Sequence, residues 1–198
     1  NGSGSTNKAQ GEVLRVTLYM GDAKENKGFL LLPELAKKIL ADKALNIELS
    51  IQYTLTWASS AVKKTAEEIA LIAKGDKRLL LTEHFLLDNE MQNHLEQIDL
   101  FVFTYEPEAY QDKNSGLLWL IGWYCTPVYF LSPSWLSRDT LRFELLVLNG
   151  KYVLNNLIEH INSLKNDNSE KKNTETENKL NPYRAEIYRP FWNWIAHL

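Results

Sequence analysis

The sequence predicts an α/β fold built on an open, doubly wound parallel sheet. Five apolar segments with the composition of buried strands alternate with segments whose apolar residues recur at helical spacing. Right-handed helical crossovers between successive strands give parallel pairing and cover both faces of the sheet. The chain has 198 residues, 44% of them hydrophobic, which is enough for one substantial core.

The strands are predicted from short apolar runs separated by polar loops. Their ranges are 13–20, 47–55, 78–85, 100–105 and 127–131. The segment 141–149 is expected to add an edge strand or an irregular segment at the end of this series.

Each of the first four strands is followed by a predicted helix. The first covers Leu32 to Leu40, where Pro33 is tolerated in the first turn. The second is capped by Ser59 or Ser60 and ends at Gly75. The others are predicted at 88–98, at 115–124 and, as a closing helix, at 153–164.

Composition excludes several classes of protein. The formal net charge is -3 with acidic and basic residues interspersed, so no nucleic-acid partner is expected. No run approaches the roughly 20 apolar residues that span a bilayer. The single cysteine, Cys125, excludes an internal disulfide and is compatible with a reducing compartment. We therefore expect a cytoplasmic protein, with peripheral membrane association left open.

Polar stretches divide the chain into four parts. Residues 1–11 resemble an interdomain linker or a cloning scar, which indicates that the chain belongs to a longer protein. Residues 12–164 form the α/β domain, and 165–181 are predicted to be a flexible polar linker. Residues 182–198 are predicted to form an aromatic terminal helix that packs on the domain, or contacts a protein partner or membrane surface through Trp192 and Trp194.

Two loops at the carboxyl edge of the sheet combine features of an anion site. The first, 21–28, has Gly21, Lys24, Lys27 and Gly28 directly before a helix. The second, 105–116, leads into another predicted helix. Its lysine and the residues that could bind an anion at the start of that helix are Lys113, Asn114, Ser115 and Gly116. Helix amino termini and lysines attract anions, so these residues predict a phosphate or diphosphate site.

Other polar residues follow strands at the same edge. Glu106 and Glu108 are expected to accept hydrogen bonds from sugar or ribose hydroxyls, or to cap the turn at Pro107. Tyr110 stacks on a base or sugar face, or else packs in the core. His84 is either a ligand contact or a structural residue.

Several well-defined motifs are absent from the sequence. It contains no CxxC or HExxH metal motif, and none of the GxSxG, GxGxxG or GxxxxGK[ST] patterns. Hydrolases, dinucleotide enzymes with the glycine fingerprint and phosphate-loop ATPases are therefore disfavoured. No metal site is predicted, and no catalytic acid or base can be assigned.

The two loops resemble the carboxyl-terminal, donor-binding domain of group 1 type, retaining glycosyltransferases of the GT-B fold. The segment LYMGDAKENKGFLLLPEL is similar to the family's strand, glycine, basic loop and KG-initiated helix. The segment DLFVFTYEPEAYQDKNSGLLWLIGWYCTPVYF is similar to its donor-pocket motif. The resemblance covers about Glu12 to Leu164 and implies a Rossmann-like domain that binds a nucleotide sugar through residues of these two loops.

The acidic motif of that family is degenerate in this chain. Asp112 occupies the first acidic position, and Leu120 stands where the second acid of the family holds the nucleotide ribose. Leucine cannot accept a hydrogen bond from a hydroxyl. The resemblance therefore implies the fold and a diphosphate contact more directly than it implies a ribose contact.

The resemblance implies the carboxyl half of a glycosyltransferase, with a nucleotide-diphosphate sugar as donor substrate and no further cofactor. An amino-terminal acceptor domain would complete the enzyme, so the isolated chain is expected to be inactive. The alternative is a catalytically silent, glycosyltransferase-like scaffold for protein interaction, which Leu120 and the aromatic tail favour. A related sugar-nucleotide enzyme such as an epimerase is a third possibility.

Overall fold

A computed structural model describes residues 13–113, 115–124, 126–132, 134, 136–137, 147–149, 157–159 and 161. These residues contain a six-stranded sheet in which every neighbouring pair of strands is parallel. The strands are β1 (Leu14–Tyr19), β2 (Ile47–Gln52), β3 (Leu79–Thr82), β4 (Leu100–Phe103), β5 (Val128–Phe130) and β6 (Val147–Asn149). Their spatial order is β3-β2-β1-β4-β5-β6, so the predicted open parallel sheet is confirmed.

Four helices connect the first five strands. They are α1 (Leu32–Ala41), α2 (Ser60–Gly75), α3 (Asp88–Gln97) and α4 (Gly116–Tyr124). The predicted cap of the second helix is confirmed, since the Ser59 hydroxyl accepts a hydrogen bond from the Val62 amide at 3.3 Å. The predicted edge strand is present as β6, while the rest of 141–149 lies outside the described residues.

All five predicted strands end before the expected residue, and β2 and β3 differ most. β2 stops at Gln52 and β3 at Thr82, although apolar residues continue beyond both. Trp57 and Phe85, which follow these strands, are exposed instead of entering the core. An apolar run thus overestimates strand length where its last residues serve the loop at the carboxyl edge.

The sheet buries side chains on both faces. Along β4, Leu100 and Val102 join a core formed with α1 and α2, whereas Phe101 and Phe103 join a second core formed with α3 and α4. In the second core the Phe103 and Phe130 rings stack with centroids 4.9 Å apart. This alternation explains why the strands read as continuous apolar runs.

The chain ends predicted from composition fall mainly outside the described residues. This holds for the linker at 1–11, the polar segment 165–181 and the aromatic segment 182–198. Within the predicted closing helix, residues 157–159 and 161 are helical. Leu157 and Ile161 are buried in the first core.

Arg78 organises the amino edge of the sheet. Its guanidinium donates to the carbonyls of Leu40, Asp42 and Leu45 and to the Asp76 carboxylate. Hydrogen bonds from Arg78 and Lys43 hold the pKa of Asp76 well below its usual range. Arg78 and Lys43 therefore hold the loops at the amino edge of the sheet together through hydrogen bonds to Asp76 and to backbone carbonyls.

The order of the strands reverses between β1 and β4, so the loops after these two strands border a crevice. The Thr104 hydroxyl donates to the Lys27 carbonyl at 2.7 Å, and the Glu106 amide donates to the Asn26 carbonyl at 3.1 Å. Gly28, with a φ of 74°, packs against the backbone of Thr104 at this contact. The loops that carry the predicted anion site are thus in direct contact.

We predict that Gly28→Ala strongly destabilises the domain. An added Cβ would lie 2.0 Å from the Thr104 carbonyl oxygen, and the positive φ is strained for any residue with a side chain. Strain and overpacking together should lower the free energy of unfolding by about 2 to 4 kcal/mol. Urea denaturation measures this loss.

The control for this prediction is Gly75→Ala at the end of α2, where an added Cβ meets nothing within 4 Å. This variant should unfold within about 0.5 kcal/mol of the wild type. Equal unfolding midpoints for the two variants would contradict the close contact between Gly28 and Thr104.

Candidate functional site

The loop after β1 has a fixed conformation. The Tyr19 hydroxyl donates to the Asp22 carbonyl at 2.7 Å and accepts from the Lys24 amide at 3.2 Å. The Ala23 amide donates to the Thr54 carbonyl at 2.9 Å, which joins the loop to the segment after β2. These hydrogen bonds hold the backbone of the loop in one conformation, and this fixes the backbone from which the side chains of Lys24 and Lys27 extend.

Gly21 allows a side chain to lie over the turn. Its φ of 113° belongs to a region that other residues rarely adopt, and an added Cβ would lie 3.6 Å from Lys27 Nζ. The Lys27 ammonium group therefore lies next to the backbone of Gly21, at the carboxyl end of β1.

Lys27 is a half-buried cation with no hydrogen bond or ion pair from its ammonium group to any described residue. Burial lowers the pKa of Lys27, and the nearby charge of Lys24 lowers it further, while Asp22 raises it. Lys24 differs because it is exposed and its ammonium nitrogen lies 3.4 Å from Asp22 Oδ2. A partly desolvated cation without a partner favours a bound anion.

Three of the backbone amides that precede α1 donate hydrogen bonds within the loop. Those of Lys27 and Phe29 donate to the Lys24 carbonyl, and that of Gly28 donates to the Glu25 carbonyl. These bonds form because two 3₁₀ turns, Glu25–Lys27 and Phe29–Leu31, lead into the helix. These three amides are therefore already hydrogen-bonded within the loop, and Gly28 packs against Thr104.

The loop after β4 places its predicted residues in different environments. Glu106, Glu108 and Lys113 are exposed at the edge, and Gly116 begins α4 with open space around its α-carbon. Asn114 lies outside the described residues. The charged groups of this loop are thus accessible to solvent.

Tyr110 and Ser115 are buried in the same loop. The Tyr110 ring packs on Tyr105 with centroids 4.4 Å apart, and the Tyr105 hydroxyl lies 3.5 Å from Ser115 Oγ. Burial raises the pKa of Tyr105 to about 12. Of the two roles predicted for Tyr110, the structure supports core packing.

Gln52, the last residue of β2, connects the loops after β1 and β3, although the sequence did not point to it. Its Oε1 accepts from the Gly21 amide at 2.8 Å, and its Nε2 donates to the His84 carbonyl at 2.7 Å. The only sequence signal for this role is an amide side chain within a buried strand. The His84 ring is exposed, with Nε2 3.7 Å from Glu90 Oε1, so its backbone contributes to the site more directly than its imidazole.

A pocket of about 290 Å³ opens beside Gly21. Asp22, Gln52, Thr54 and the exposed Thr56 and Trp57 line one part of it. The remainder is lined by residues that follow β3, namely Phe85, Leu86 and Met91. This pocket is not predictable from local sequence patterns, because its walls come from three separate loops.

Two other kinds of site are absent from the described part of the chain. No group of three or more His, Cys, Asp or Glu residues there could hold a metal ion. None of the helices in that part is long and apolar enough to cross a membrane.

Comparisons of sequence identify no relatives: no protein-family model matches the chain, and neither does any curated protein. Comparisons of structure do. The chain is similar to alpha,alpha-trehalose 6-phosphate synthase from Burkholderia multivorans, with a TM-score of 0.60 and 12% identity over 93% of this chain and 43% of that one. The chain has the fold of one half of a GT-B glycosyltransferase.

Two further structures share this fold. The carboxyl-terminal domain of a group 1 family glycosyl transferase from Francisella tularensis matches with a TM-score of 0.53 and 15% identity, over 78% of this chain and 76% of that domain. A putative UDP-N-acetylglucosamine 2-epimerase from Listeria monocytogenes matches with a TM-score of 0.54 and 20% identity, over 86% and 39%.

The chain spans less than half the length of the synthase and epimerase structures that it matches. The Rossmann-like architecture predicted from the sequence is confirmed. Leu120, at the position where the family resemblance implies an acid, is half-buried against the second core.

We predict that Lys27→Met stabilises the domain in the absence of ligand. Methionine keeps the length of the aliphatic chain but removes a charge that burial and Lys24 disfavour. After allowance for solvent screening, the free energy of unfolding at neutral pH should rise by up to about 1 kcal/mol. Urea denaturation measures the gain, and Lys74→Met, at an exposed position of α2, is the control.

The pH dependence provides an independent check. Because the pKa of Lys27 is lower in the folded state, the unfolded state binds the proton more tightly. Wild-type stability should therefore rise relative to Lys27→Met as the pH increases through the folded pKa towards 10.5. A gap that does not change with pH would show that the ammonium group is not destabilised by burial.

Proposed function

We propose that this chain is the donor-binding domain of a GT-B glycosyltransferase and that it binds the diphosphate of a nucleotide sugar. The observation that carries the proposal is the half-buried Lys27 ammonium group over Gly21, which has no partner among the described residues. It lies at the crevice between the loops after β1 and β4, where open α/β sheets bind ligands. The similarity in fold to glycosyltransferases supports this assignment.

Lys27 is the principal diphosphate contact in this proposal. Binding an anion there provides the charge partner that no described residue supplies and restores the pKa of the ammonium group. Lys24 would join it by leaving its 3.4 Å pair with Asp22, in which the lysine is exposed and the aspartate is partly buried. A partly exposed pair of this kind contributes modestly to stability.

The loop after β4 supplies the other side of the proposed site. The exposed side chain of Lys113 would provide a second cation for the diphosphate. The amino end of α4, at Ser115 and Gly116, would face a phosphate group. Glu106 and Glu108 are exposed acceptors for sugar or ribose hydroxyls. The two loops are already joined through Asn26 and Thr104.

Catalysis in the full-length protein would consist of orienting the donor and stabilising its departing diphosphate. Lys27 and Lys24 would balance the negative charge that develops on the diphosphate as its bond to the sugar breaks. A second domain would present the acceptor across the crevice. The chain alone is therefore expected to bind donor without transferring sugar.

Calorimetric titration with UDP-, GDP- and ADP-glucose tests the proposal. We expect at least one donor to bind, with Lys27→Met weakening it about tenfold or more because a charge-assisted contact is lost. Affinity should also fall as the pH rises through the lowered pKa of Lys27. Lys74→Met should bind like the wild type. No binding of any donor by the full-length protein would overturn the proposal.

A catalytically silent scaffold is the second candidate, and Leu120 favours it. Leu120 packs against the second core at the position where a ribose acceptor is expected. In this case Leu120→Glu should not improve donor binding, since the site would no longer be used. Improvement by Leu120→Glu, measured in the same titration, would instead indicate a donor site that lacks one contact.

A further inference from the structure

The edge strand β3 is paired on one side only in the part of the chain that the structure describes. It is the last strand of the sheet, and β2 is its neighbour. The carbonyls of Arg78 and Thr82 accept backbone hydrogen bonds from the β2 side at 2.7 Å and 2.9 Å. Backbone groups of successive residues point to opposite sides of a strand, so those of Leu81 point away from the sheet.

The outer side of β3 carries backbone groups that match an antiparallel strand. The Leu79 amide is already used, since it donates to the Asp76 carbonyl at 3.1 Å. The Leu79 carbonyl, the amide and carbonyl of Leu81 and the Glu83 amide remain on that side. In an antiparallel pair, residues directly opposite each other can exchange two hydrogen bonds. Leu81 is therefore suited to lie opposite the same residue of a second chain.

The sequence of β3 does not protect this edge. Exposed edge strands usually carry a lysine, a proline or a bulge that discourages pairing with another chain. β3 has the sequence LLLT, with no charged residue and no proline. Leu81 packs against the first core, whereas the side chain of Leu80 points to the other face and is 45% exposed. Unpaired backbone groups and an exposed apolar side chain thus lie along the same edge.

The charges at the two ends of β3 are complementary to each other. Lys74 and Lys77 precede the strand, Glu83 and Asp88 follow it, and all of these residues are exposed. A copy of β3 added in the parallel direction would place like charges together. An antiparallel copy places each basic end beside an acidic end. The edge is therefore complementary to itself, as a twofold interface requires.

We propose that two copies of this chain associate by antiparallel pairing of their β3 strands, with Leu81 opposite Leu81 of the second copy. The two sheets then form one continuous sheet, joined by about four backbone hydrogen bonds. Leu80 lies opposite Thr82 of the second copy, so its exposed side chain gains a neighbour. The interface goes beyond donor binding and does not rest on it, because β3 lies two strands away from β1 and its crevice.

Sedimentation equilibrium of the full chain over a range of concentrations tests the proposal. Because the strand is short, we expect a reversible dimer with a dissociation constant of about 10 to 100 µM. A chain that remains monomeric at about 1 mM would overturn the proposal.

Backbone hydrogen exchange, followed by nuclear magnetic resonance, identifies the surface that pairs. Raising the concentration above the dissociation constant should slow exchange of the Leu81 and Glu83 amides about tenfold or more. The amides of Leu80 and Thr82 should change less, because they face β2 in the monomer as well. A dimer without added protection at Leu81 and Glu83 would overturn the proposal. Full protection in the dilute monomer would also overturn it, since the chain would then cover its own edge.

Leu80→Lys tests the apolar part of the interface without altering a buried side chain. A lysine on an edge strand disfavours pairing, so association should weaken about tenfold or more. Leu31→Lys is the matched control, because Leu31 is 48% exposed and lies in the turn before α1. It should associate like the wild type. Equal weakening by the two variants would show that the effect does not arise at β3 and would overturn the proposal.

Charge reversal tests the antiparallel direction. Lys77→Glu or Glu83→Lys alone should weaken association about threefold or more, because like charges then meet twice across the twofold axis. An equal mixture of the two variants should associate about as tightly as the wild type, since both contacts again join opposite charges. A mixture that associates no better than either variant alone would overturn the antiparallel pairing.

Discussion

The loop after β1 can meet the loop after β4 only because residue 28 has no side chain. Gly28 lies against the Thr104 backbone, and this contact allows the Thr104 hydroxyl to reach the Lys27 carbonyl. The same approach lets the Glu106 amide bond to Asn26. The position of the Lys27 ammonium group over Gly21 therefore depends on a contact made at the reversal of strand order.

The two edges of the sheet use their cations differently. At the amino edge Arg78 donates to three carbonyls and a carboxylate, so its charge is consumed in holding loops. At the carboxyl edge Lys27 is half-buried without such partners among the described residues. Arg78 is hydrogen-bonded on every side of its guanidinium, whereas burial lowers the pKa of Lys27. Retaining an unfavourable charge at a crevice is typical of a binding residue.

The sequence was sufficient for the fold because each strand and helix has its own local pattern. For example, the helical spacing of apolar residues in α2, the Ser59 cap and the final Gly75 can all be read from one short segment of sequence. The site was only partly predictable, since Gln52 and Thr104 act on residues 31 and 77 positions away. Neither partner is visible in a local pattern. The exposure of Phe85 was likewise not predictable, because it lies at the end of the apolar run 78–85 that reads as a strand.

Leu120 bears on how affinity is distributed in the proposed donor site. It packs against the second core, so the domain keeps its fold without the acid that the family resemblance leads one to expect there. A site without that carboxylate gains little from the ribose and has to draw its affinity from the diphosphate. Lys27 suits that requirement because its unfavourable burial in the free domain is relieved by an anion. Such a site discriminates charge strongly and the nucleoside weakly, so selection among donors would fall to contacts outside the ribose position.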